Sequence, residues 1–320
     1  MGTYYRVTYG DAQQRDFRTS LDSLLQAINL EVSTYIPEAT ISRFNQAEAT
    51  FDLRTDPRSG QAGAYANRHF LPNFLKAKEV YAQTEGYFDP TVMPLVNYWG
   101  FGYTPKKSVE QADSAKVQEL LLLVGFGQVE LLVQGEDTLL QKARPGVQLD
   151  FSAIAKGYGV DEVGRFLAAQ GIENFLVDIG GEALSRGRSP RGDAWRIGIN
   201  RPQEDAAVDE IQVAVPLDNR AIATSGNYRN FYEVDGLKYS HTINPKTGFP
   251  ERNTLLSASV FAPDCMTADA FATAFMTMGL ERAFALSNQL PDIEAYFIYG
   301  LPDGGMATRY TPALAPLFEE

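Results

Sequence analysis

The Asp235-Gly236 dipeptide is the feature that most constrains the fold, because it lies between two alternating runs in the segment NFYEVDGLKYSHTI. An Asp-Gly pair in this setting is the strongest local signal for a β-hairpin, which joins two strands antiparallel. Other strand-like runs lie at 129–134, 138–142, 147–151, 195–200, 211–217, 255–262 and 294–300. Strands outnumber helices and several are joined by hairpins. The sequence therefore predicts an α+β fold with mixed or mostly antiparallel sheets and packed helices.

Helices are predicted where apolar residues recur with helical spacing. The first helix is predicted from the spacing i, i+3, i+4 and i+7 of Leu21, Leu24, Leu25 and Ile28. Thr19 or Ser20 is predicted to cap it. Further helices are predicted at 64–84, 109–123, 155–171 and 280–290. The aromatic, Gly- and Pro-rich segment 86–105 is predicted to be a long irregular connection, the kind of segment that often carries function.

Charge and cysteine usage exclude several classes of protein. The net charge of −12 argues against a nucleic-acid partner, because phosphate backbones bind basic surfaces. The single cysteine, Cys265, excludes an internal disulfide and a thiolate zinc site.

No apolar run approaches the roughly 18 residues that span a bilayer. The first ten residues lack the basic and apolar regions of a signal peptide. We therefore expect either a cytoplasmic protein or one whose export signal has been trimmed.

The segment ADAFATAF places two oxygen-bearing side chains one helical turn apart, at Asp269 and Thr273. The helix is predicted to start near Pro263 and Asp264. One interpretation is a polar stripe on a half-exposed helix, and for this motif alone it is the stronger. The other is a site for Mg²⁺, which prefers carboxylate and hydroxyl oxygens. Small alanines on both sides favour close approach of a ligand.

Two further segments are candidates for a phosphate-bearing ligand. Lys156 and Gly157 open a helix directly after a strand, where exposed N–H groups attract phosphate. The turn at Gly180 and Gly181 ends a buried strand and lets backbone N–H groups face a ligand. Neither segment is a Rossmann or Walker motif. A solvated lysine and a plain tight turn remain the alternatives.

His241 is the better candidate of the two histidines for a general base, because it ends a strand beside a turn rich in Asn, Pro and Gly. A structural histidine bonded to that turn is an equal alternative. His69 is predicted to lie inside a helix with a structural role. The segment STYIPEATISRFN (33–45), rich in hydroxyls and containing a Pro, is predicted to be a loop. Aromatic residues cluster in this loop and in segment 86–105, where they could stack on a planar ring or fill a core: Tyr35, Phe88, Tyr98, Trp99, Phe101 and Tyr103.

Taken in order, these segments resemble the ApbE family of flavin transferases. The matching blocks cover nearly the whole chain: MGTYYRV, STYIPEATISRFN, GYFDPTVMPLVNYWGFG, LDFSAIAKGYGVDEV, FLVDIGGEALSRG, AIATSGNYRNF, YSHTINPKTG and TADAFATAF. The resemblance implies an ApbE-like (T-fold-like) architecture, with 1–320 as one domain. Two subdomains with the FAD site between them are an alternative arrangement.

The resemblance also implies roles for individual residues. The Mg²⁺ ligands would be Asp269, Thr273 and the carbonyl of Ala155, and the base would be His241. Contacts to the FAD substrate are implied at Met1, Gly2, Tyr35, Ser42, Asn45, Asp89, Trp99, Lys156, Asp161, Gly180, Gly181, Glu182, Thr224, Ser225 and Gly226. Tyr35 would stack on the isoalloxazine ring. The family often has Asp in the turn after the histidine, where this chain has Asn244, so charge assistance from that turn is not expected.

The activity that the resemblance implies is Mg²⁺-dependent transfer of FMN from FAD to a threonine hydroxyl of an acceptor protein, with release of AMP. A Mg²⁺-dependent FAD pyrophosphatase giving FMN and AMP is one alternative, and a non-catalytic FAD-binding protein is another. The acceptor would be a redox-pump or electron-transfer subunit. Relatives are typically exported and lipid-anchored, so a periplasmic location with a trimmed anchor is expected beside the cytoplasmic alternative.

Overall fold

The structure is a computed structural model of the 320-residue chain. It describes residues 2–53, 67–104, 109, 112–134, 137–200, 211–227, 231–234 and 237–318. Met1, which we predict to contact FAD, lies outside the described residues. Among the described residues, no helix combines the length and the apolar character that crossing a bilayer requires.

The strands, in chain order, are β1 (Tyr5–Tyr9), β2 (Thr50–Asp52), β3 (Val129–Gln134), β4 (Asp137–Lys142), β5 (Phe175–Ile179), β6 (Glu182–Arg186), β7 (Trp195–Asn200), β8 (Ile211–Leu217), β9 (Ala221–Gly226), β10 (Phe231–Val234), β11 (Leu237–Ser240), β12 (Leu255–Ala262), β13 (Glu294–Gly300) and β14 (Met306–Tyr310). The α-helices are α1 (Arg18–Val32), α2 (Thr40–Gln46), α3 (Phe70–Gln83), α4 (Met93–Tyr98), α5 (Ser114–Leu121), α6 (Ala155–Ala169), α7 (Cys265–Met278) and α8 (Leu280–Ser287). Short 3-10 helices lie at Pro90–Val92, Phe126–Gln128 and Pro312–Leu317.

The chain divides into two compact units. Unit 1 comprises Met1–Leu24, Ile154–Phe231 and Glu251–Glu320, and unit 2 comprises Leu25–Ala153 and Tyr232–Pro250. The prediction of one domain over 1–320 stays a prediction.

Unit 1 is built on an antiparallel sheet. Over the described residues its seven strands follow the order β1-β5-β6-β9-β12-β13-β14. Helix α7 packs against β9 and β12, and α6 packs against α7 and β5. β12 is buried along most of its length because helix covers one face and apolar side chains cover the other. The two-stranded β7–β8 sheet adds Ile199, Val215 and Leu217 to a core shared with β6, β9, β12 and β13.

Helix α7 begins and ends at residues suited to those positions. The side chain of Asp264 accepts a hydrogen bond from the N–H of Thr267, so Asp264 is the N-cap. Gly279 follows the last turn with φ +74°, a conformation that glycine adopts at low cost. Between these ends the helix is almost entirely buried and is rich in Ala and Phe. A helix apolar on all sides belongs in a core.

Unit 2 combines a three-stranded antiparallel sheet, ordered β2-β4-β3 over the described residues, with short helices. One of its apolar clusters centres on Trp99, which is fully buried with Leu95, Val117 and Ile243. The indole N–H of Trp99 donates to the carbonyl of Gly248 at 2.7 Å. Trp99 therefore serves as a packing residue that ties two loops of unit 2 together.

Several predicted elements are confirmed. β10 and β11 pair as the hairpin signal predicted, although Asp235 and Gly236 themselves lie outside the described residues. α6 and α8 occupy the predicted helical segments. α3 begins at Phe70, after the predicted start at 64, and residues 64–66 lie outside the described part of the chain. α5 is shorter than the predicted 109–123.

Several predictions were wrong. Helix α1 begins at Arg18, so Thr19 and Ser20 lie inside it and neither is its N-cap. The second half of the predicted loop at 33–45 belongs to α2.

Residues 147–151 form no strand, because the backbone N–H and carbonyl of Leu149 bond to the side chain of Asn45 instead of to another strand. Segment 86–105 is not wholly irregular, since α4 and a 3-10 helix begin after the Asp89 cap. His69 precedes α3 instead of lying inside it, and its backbone N–H donates to the carboxylate of Glu31.

Lys142 is buried in unit 2, with 4% of its surface exposed. Its Nζ donates to the carbonyls of Ala47 at 2.7 Å and Asn45 at 3.2 Å, and it lies 4.5 Å from the centre of the Phe44 ring. These carbonyls end helix α2, where a positive charge is favourable. Burial nevertheless lowers the pKa of Lys142 from 10.5 to about 8.

This shift predicts how stability depends on pH. Between pH 8 and 10.5 the unfolded chain holds a proton on Lys142 that the folded chain has lost, so the free energy of unfolding rises with pH through this group. We expect Lys142→Met to flatten that rise, measured by urea unfolding at intervals from pH 7.5 to 9.5. Lys78→Met, at an exposed lysine of α3, is the control and should keep the wild-type slope. An unchanged slope in Lys142→Met would contradict the prediction.

Candidate functional site

The candidate site lies within unit 1, where three elements bring charged side chains together. Helix α6 begins at Ala155 and carries Lys156 in its first turn, β6 begins at Glu182, and α7 carries Asp269. We call Lys156, Glu182 and Asp269 the charged cluster. Each member comes from a different part of the chain, so only the tertiary fold assembles it.

Asp269 is the most buried member of the charged cluster, with 2% of its surface exposed. Its Oδ2 accepts a hydrogen bond from the backbone N–H of Gly157 at 3.0 Å. Its Oδ1 accepts from Nζ of Lys156 at 3.4 Å. The Gly157 N–H belongs to the first turn of α6, so this N–H group has no acceptor inside its own helix. Asp269 therefore caps α6 from a neighbouring helix and receives stabilisation from the helix dipole.

Lys156 lies between the two carboxylates of the charged cluster. Its Nζ is 3.3 Å from Oε1 of Glu182 and 3.4 Å from Oδ1 of Asp269. Burial alone would lower the pKa of Lys156, but the attraction of Asp269 and Glu182 outweighs it and raises that pKa above its ordinary value. Its side chain keeps 31% of its surface exposed, so Lys156 is the most exposed member of the charged cluster.

Glu182 is buried, with 4% of its surface exposed. Its Oε1 pairs with Lys156, while its buried Oε2 has no hydrogen-bond partner among the described residues. Burial raises the pKa of Glu182, and the neighbouring Asp269 adds to this rise while Lys156 opposes it. A buried carboxylate oxygen without a partner is costly, because it has lost its water. Such an atom at the edge of a charged cluster marks a place where a donor or a cation is favourable.

Hydroxyl groups line the helix and strands beside the charged cluster. Oγ of Ser225 lies 3.2 Å from Oγ1 of Thr273, and Oγ1 of Thr224 lies 2.8 Å from Oγ of Ser259. Thr273 is one helical turn beyond Asp269 on α7. The predicted metal-ligating hydroxyl therefore already has a hydroxyl neighbour that fixes its orientation. Gly226, also predicted to contact FAD, ends the same strand, β9.

Asp161 is buried in α6, where it accepts hydrogen bonds from the N–H groups of Cys265 at 2.8 Å and Met266 at 2.9 Å. These N–H groups open α7 and have no partner inside that helix. Burial raises the pKa of Asp161 to about 7. The structure thus gives Asp161 a role in joining α7 to α6, a role that the resemblance did not imply. Burial also raises the pKa of the Cys265 thiol well above its ordinary value.

The Gly180-Gly181 turn joins β5 to β6 directly before Glu182. Both glycines have positive φ, +68° and +105°. A Cβ on Gly180 would lie 2.8 Å from Cγ2 of Thr3, so the N-terminal segment that includes Gly2 packs against the turn. The N–H of Gly181 donates to Asp178 at 2.9 Å. The positive φ favours glycine at both positions, and at Gly180 the close approach of Thr3 adds to that preference.

The donors near the charged cluster fit a hard divalent cation. The carboxylate of Asp269, the hydroxyl of Thr273 and the carbonyl of Ala155 are oxygen donors of the class that Mg²⁺ prefers. The ionised cluster carries a formal charge of −1, from one lysine and two carboxylates (+1 −1 −1). No three His, Cys, Asp or Glu side chains of the described residues could together hold a metal. A metal here would therefore depend on hydroxyl and carbonyl ligands beside Asp269.

The remaining predicted contact residues lie in unit 2. Tyr35 has 65% of its surface exposed, so its ring is available to stack on a ligand. Ser42 is buried, and its hydroxyl lies 3.4 Å from the carbonyls of Ser33 and Thr34. The predicted roles of Tyr35 and Ser42 in FAD binding stay predictions.

Three other predicted contacts of unit 2 are occupied by packing or hydrogen bonds. Asn45 uses its amide for the backbone of Leu149, at 2.7 and 2.8 Å. Asp89 caps the 3-10 helix by accepting from the N–H and hydroxyl of Thr91, and burial raises its pKa to about 6. Trp99 is enclosed in the core described above. These bonds give each residue a structural role, and their contacts to FAD stay predictions.

His241, the predicted base, is partly buried in unit 2. Its ring lies edge-on to Phe101, with 6.5 Å between the ring centres. The following turn is fixed by Asn244, whose Oδ1 accepts from the N–H of Lys246 at 2.8 Å. An asparagine serves this turn as well as an aspartate would, which explains why the turn forms without the carboxylate.

Sequence reasoning missed how the site is held together. It placed Lys156, Glu182 and Asp269 in separate motifs and did not anticipate their mutual ion pairs. It also missed the link from Asp161 to the start of α7. One signal was available, because the segment GYGVDEV is apolar apart from Asp161 and Glu162, and carboxylates in such a helix are unusual unless they have partners.

Comparison with known proteins gives a consistent result. Residues 1–297 match the ApbE family. A protein of Vibrio cholerae named FAD:protein FMN transferase is 39% identical, over 91% of this chain and 84% of its own length. A protein of Haemophilus influenzae with the same name is 32% identical, over 100% of this chain and 90% of its own length. The solved structure of the flavin transferase ApbE from Vibrio cholerae superposes with a TM-score of 0.83, at 35% identity, covering 99% of this chain and 96% of that one.

The contact between α6 and α7 predicts the effect of one substitution. A Cβ on Gly157 would lie 2.2 Å from the carbonyl oxygen of Cys265 and 2.8 Å from Cα of Met266, both in the backbone of α7. We expect Gly157→Ala to lower the free energy of unfolding by about 2–3 kcal/mol, because one helix must move. Urea unfolding measures the change. Gly127→Ala, where nothing lies within 4 Å, is the control and should change it by less than about 0.5 kcal/mol. Similar values for both variants would contradict the close packing.

Proposed function

The chain belongs to the ApbE family, and from this premise we propose that it transfers FMN from FAD to a threonine hydroxyl of an acceptor protein in a Mg²⁺-dependent reaction that releases AMP. Transfer of a flavin from FAD to a protein is the activity that its relatives support. The metal, the threonine and the release of AMP are our proposal. The observation that carries it is the charged cluster, where the buried Asp269 lies one turn from Thr273 and caps the first turn of α6.

We propose that Asp269, Thr273 and the carbonyl of Ala155 hold the Mg²⁺ ion. When bound, the ion would supply electrostatic stabilisation of negative charge on the pyrophosphate. The chain prepares this position with its own bonds. The Gly157 N–H fixes one oxygen of Asp269, and Ser225 orients the hydroxyl of Thr273. Both side chains are therefore positioned before a metal or FAD binds.

The reaction exchanges a phosphoanhydride bond of FAD for a phosphoester bond. The threonine oxygen of the acceptor forms a bond to the FMN-side phosphorus of FAD, and the bond from that phosphorus to the bridging oxygen breaks. AMP leaves with the bridging oxygen, and FMN stays on the threonine as a phosphoester. We propose that His241 takes the threonine proton, since a histidine can accept a proton near neutral pH. Most of the rate enhancement would come from positioning and electrostatics, as in other phosphoryl transfers.

The other predicted contacts complete the proposal for substrate binding. The exposed ring of Tyr35 would stack on the isoalloxazine, and its 65% exposure supports this role. The Gly180-Gly181 turn leaves room for phosphate oxygens to approach the backbone. As acceptor we propose a redox-pump or electron-transfer subunit. A periplasmic location with an N-terminal lipid anchor is part of the same proposal and rests on the resemblance alone.

A substitution of Asp269 tests the proposed metal dependence. We expect Asp269→Asn to lower the rate of flavin transfer at least about 100-fold, because the metal loses its carboxylate while the side chain keeps its shape. The assay follows fluorescent labelling of an acceptor domain on a denaturing gel, with FAD and either Mg²⁺ or EDTA. Asp292→Asn, at an exposed aspartate of unit 1, is the matched control.

The same assay separates the alternatives. Wild-type rates in Asp269→Asn, or labelling that continues in EDTA, would contradict the metal assignment. Free FMN and AMP without a labelled acceptor would instead identify a FAD pyrophosphatase. Binding of FAD without any product would identify a non-catalytic flavin carrier.

A second substitution tests the base. We expect His241→Ala to lower the transfer rate at saturating FAD about 100-fold or more, because the threonine proton loses its acceptor. The affinity for FAD, measured by quenching of flavin fluorescence, should stay within about threefold of wild type, since the histidine acts on the threonine proton. Equal transfer rates in both proteins would remove His241 from the mechanism. A loss of affinity with an unchanged rate would make it a binding residue.

A further inference from the structure

The charged cluster contains one ammonium group for two buried carboxylates. Nζ of Lys156 is nearly equidistant from them, at 3.3 Å from Glu182 and 3.4 Å from Asp269. Both distances are longer than a strong charge-assisted hydrogen bond, which is about 2.7–2.9 Å. Lys156 is therefore shared between two partners and bonds closely to neither.

The two carboxylates differ in how well they are satisfied without Lys156. Asp269 also receives the N–H of Gly157 at 3.0 Å, and it is the oxygen ligand of the proposed metal site. Glu182 has an oxygen, Oε2, that is buried and has no partner among the described residues. If the ammonium group of Lys156 left Asp269, Glu182 could therefore offer that ammonium group a second acceptor atom.

We propose that Lys156 is an exchangeable counter-cation of the metal site. It shares its charge between Asp269 and Glu182 until Asp269 binds a divalent cation, and it then pairs with Glu182 alone, through both carboxylate oxygens. Glu182 thereby draws the competing ammonium group away from Asp269 and raises the affinity of the site for the cation. This inference rests on the proposed function, because it takes Asp269 as a metal ligand.

The exchange has a charge argument behind it. An ammonium group and a divalent cation that both faced Asp269 would repel each other at close range in a buried site, where such repulsion is strong. A lysine side chain is long and flexible, so a small rotation moves its charge from one carboxylate to the other. Lys156 and Glu182 are thus positioning residues for the cation, since neither needs to touch it.

The test is a double-mutant cycle on cation affinity, measured without FAD by the loss of the free Mn²⁺ signal in electron paramagnetic resonance. We expect Glu182→Gln to weaken Mn²⁺ binding about tenfold, since Lys156 then pairs with Asp269 only, and Lys156→Met to strengthen it about tenfold. In the Lys156→Met background, Glu182→Gln should have little further effect. Glu173→Gln, at an exposed glutamate of unit 1, is the control and should bind Mn²⁺ as the wild type does.

The outcomes distinguish this inference from the proposed function. If Glu182→Gln weakens binding equally with and without Lys156, then Glu182 acts independently of the lysine and the exchange is wrong, while the metal site stands. If the wild-type chain binds no Mn²⁺ without FAD, the exchange is wrong, and the flavin-transfer assay of Asp269→Asn with Mg²⁺ or EDTA decides the metal site separately.

The cycle also needs folded variants, which far-ultraviolet circular dichroism checks. Should the double variant fail to fold, Lys156→Arg replaces it. A guanidinium group can hold both carboxylates with its fork of donors, so it should resist displacement and weaken Mn²⁺ binding several-fold. Unchanged affinity in Lys156→Arg would overturn the exchange.

Discussion

The hydrogen bond from the backbone of Gly157 to the carboxylate of Asp269 is the interaction on which the site depends. It fixes the start of α6 against the middle of α7, two helices that are more than 90 residues apart in the chain. Asp161 makes the reciprocal bond, from the body of α6 to the first N–H groups of α7. Each helix thus receives a carboxylate from the other at its N-terminal end, which satisfies backbone groups that would otherwise be buried without partners. The absence of a side chain at Gly157 is what allows this approach.

Local patterns predicted the fold where local chemistry decides the structure. The hairpin signal at 235–236 predicted the pairing of β10 with β11, and helical spacing predicted α6. The prediction failed at 147–151. The alternating apolar and polar residues of VQLDF are typical of a strand, but Asn45, about 100 residues earlier, takes the backbone hydrogen bonds of Leu149. No periodicity in a sequence can show a partner so distant. At 86–105 the signal was present, since Asp89 followed by Pro90 is a helix start.

The site was predictable as a set of residues and not as an arrangement. Asp269 and Thr273 follow from helical spacing, because residues four apart share one face. The positions of Lys156 and Glu182 around Asp269 depend on the packing of α6, β6 and α7, which only the tertiary structure specifies. The same limit applies to Trp99: an aromatic residue in a long connection fits equally well as a ligand contact and as a core residue, and burial by Leu95 and Val117 is what separates the two.

Cys265 has a practical consequence. The chain's single thiol is fully buried at the start of α7, and burial raises its pKa, so little reactive thiolate forms at neutral pH. Maleimide and nitroxide reagents should therefore leave the folded wild-type chain unmodified. A cysteine introduced on the surface of either unit would carry the only label, and pairs of such labels would report distances between the units by fluorescence transfer or pulsed spectroscopy without any need to replace the native residue.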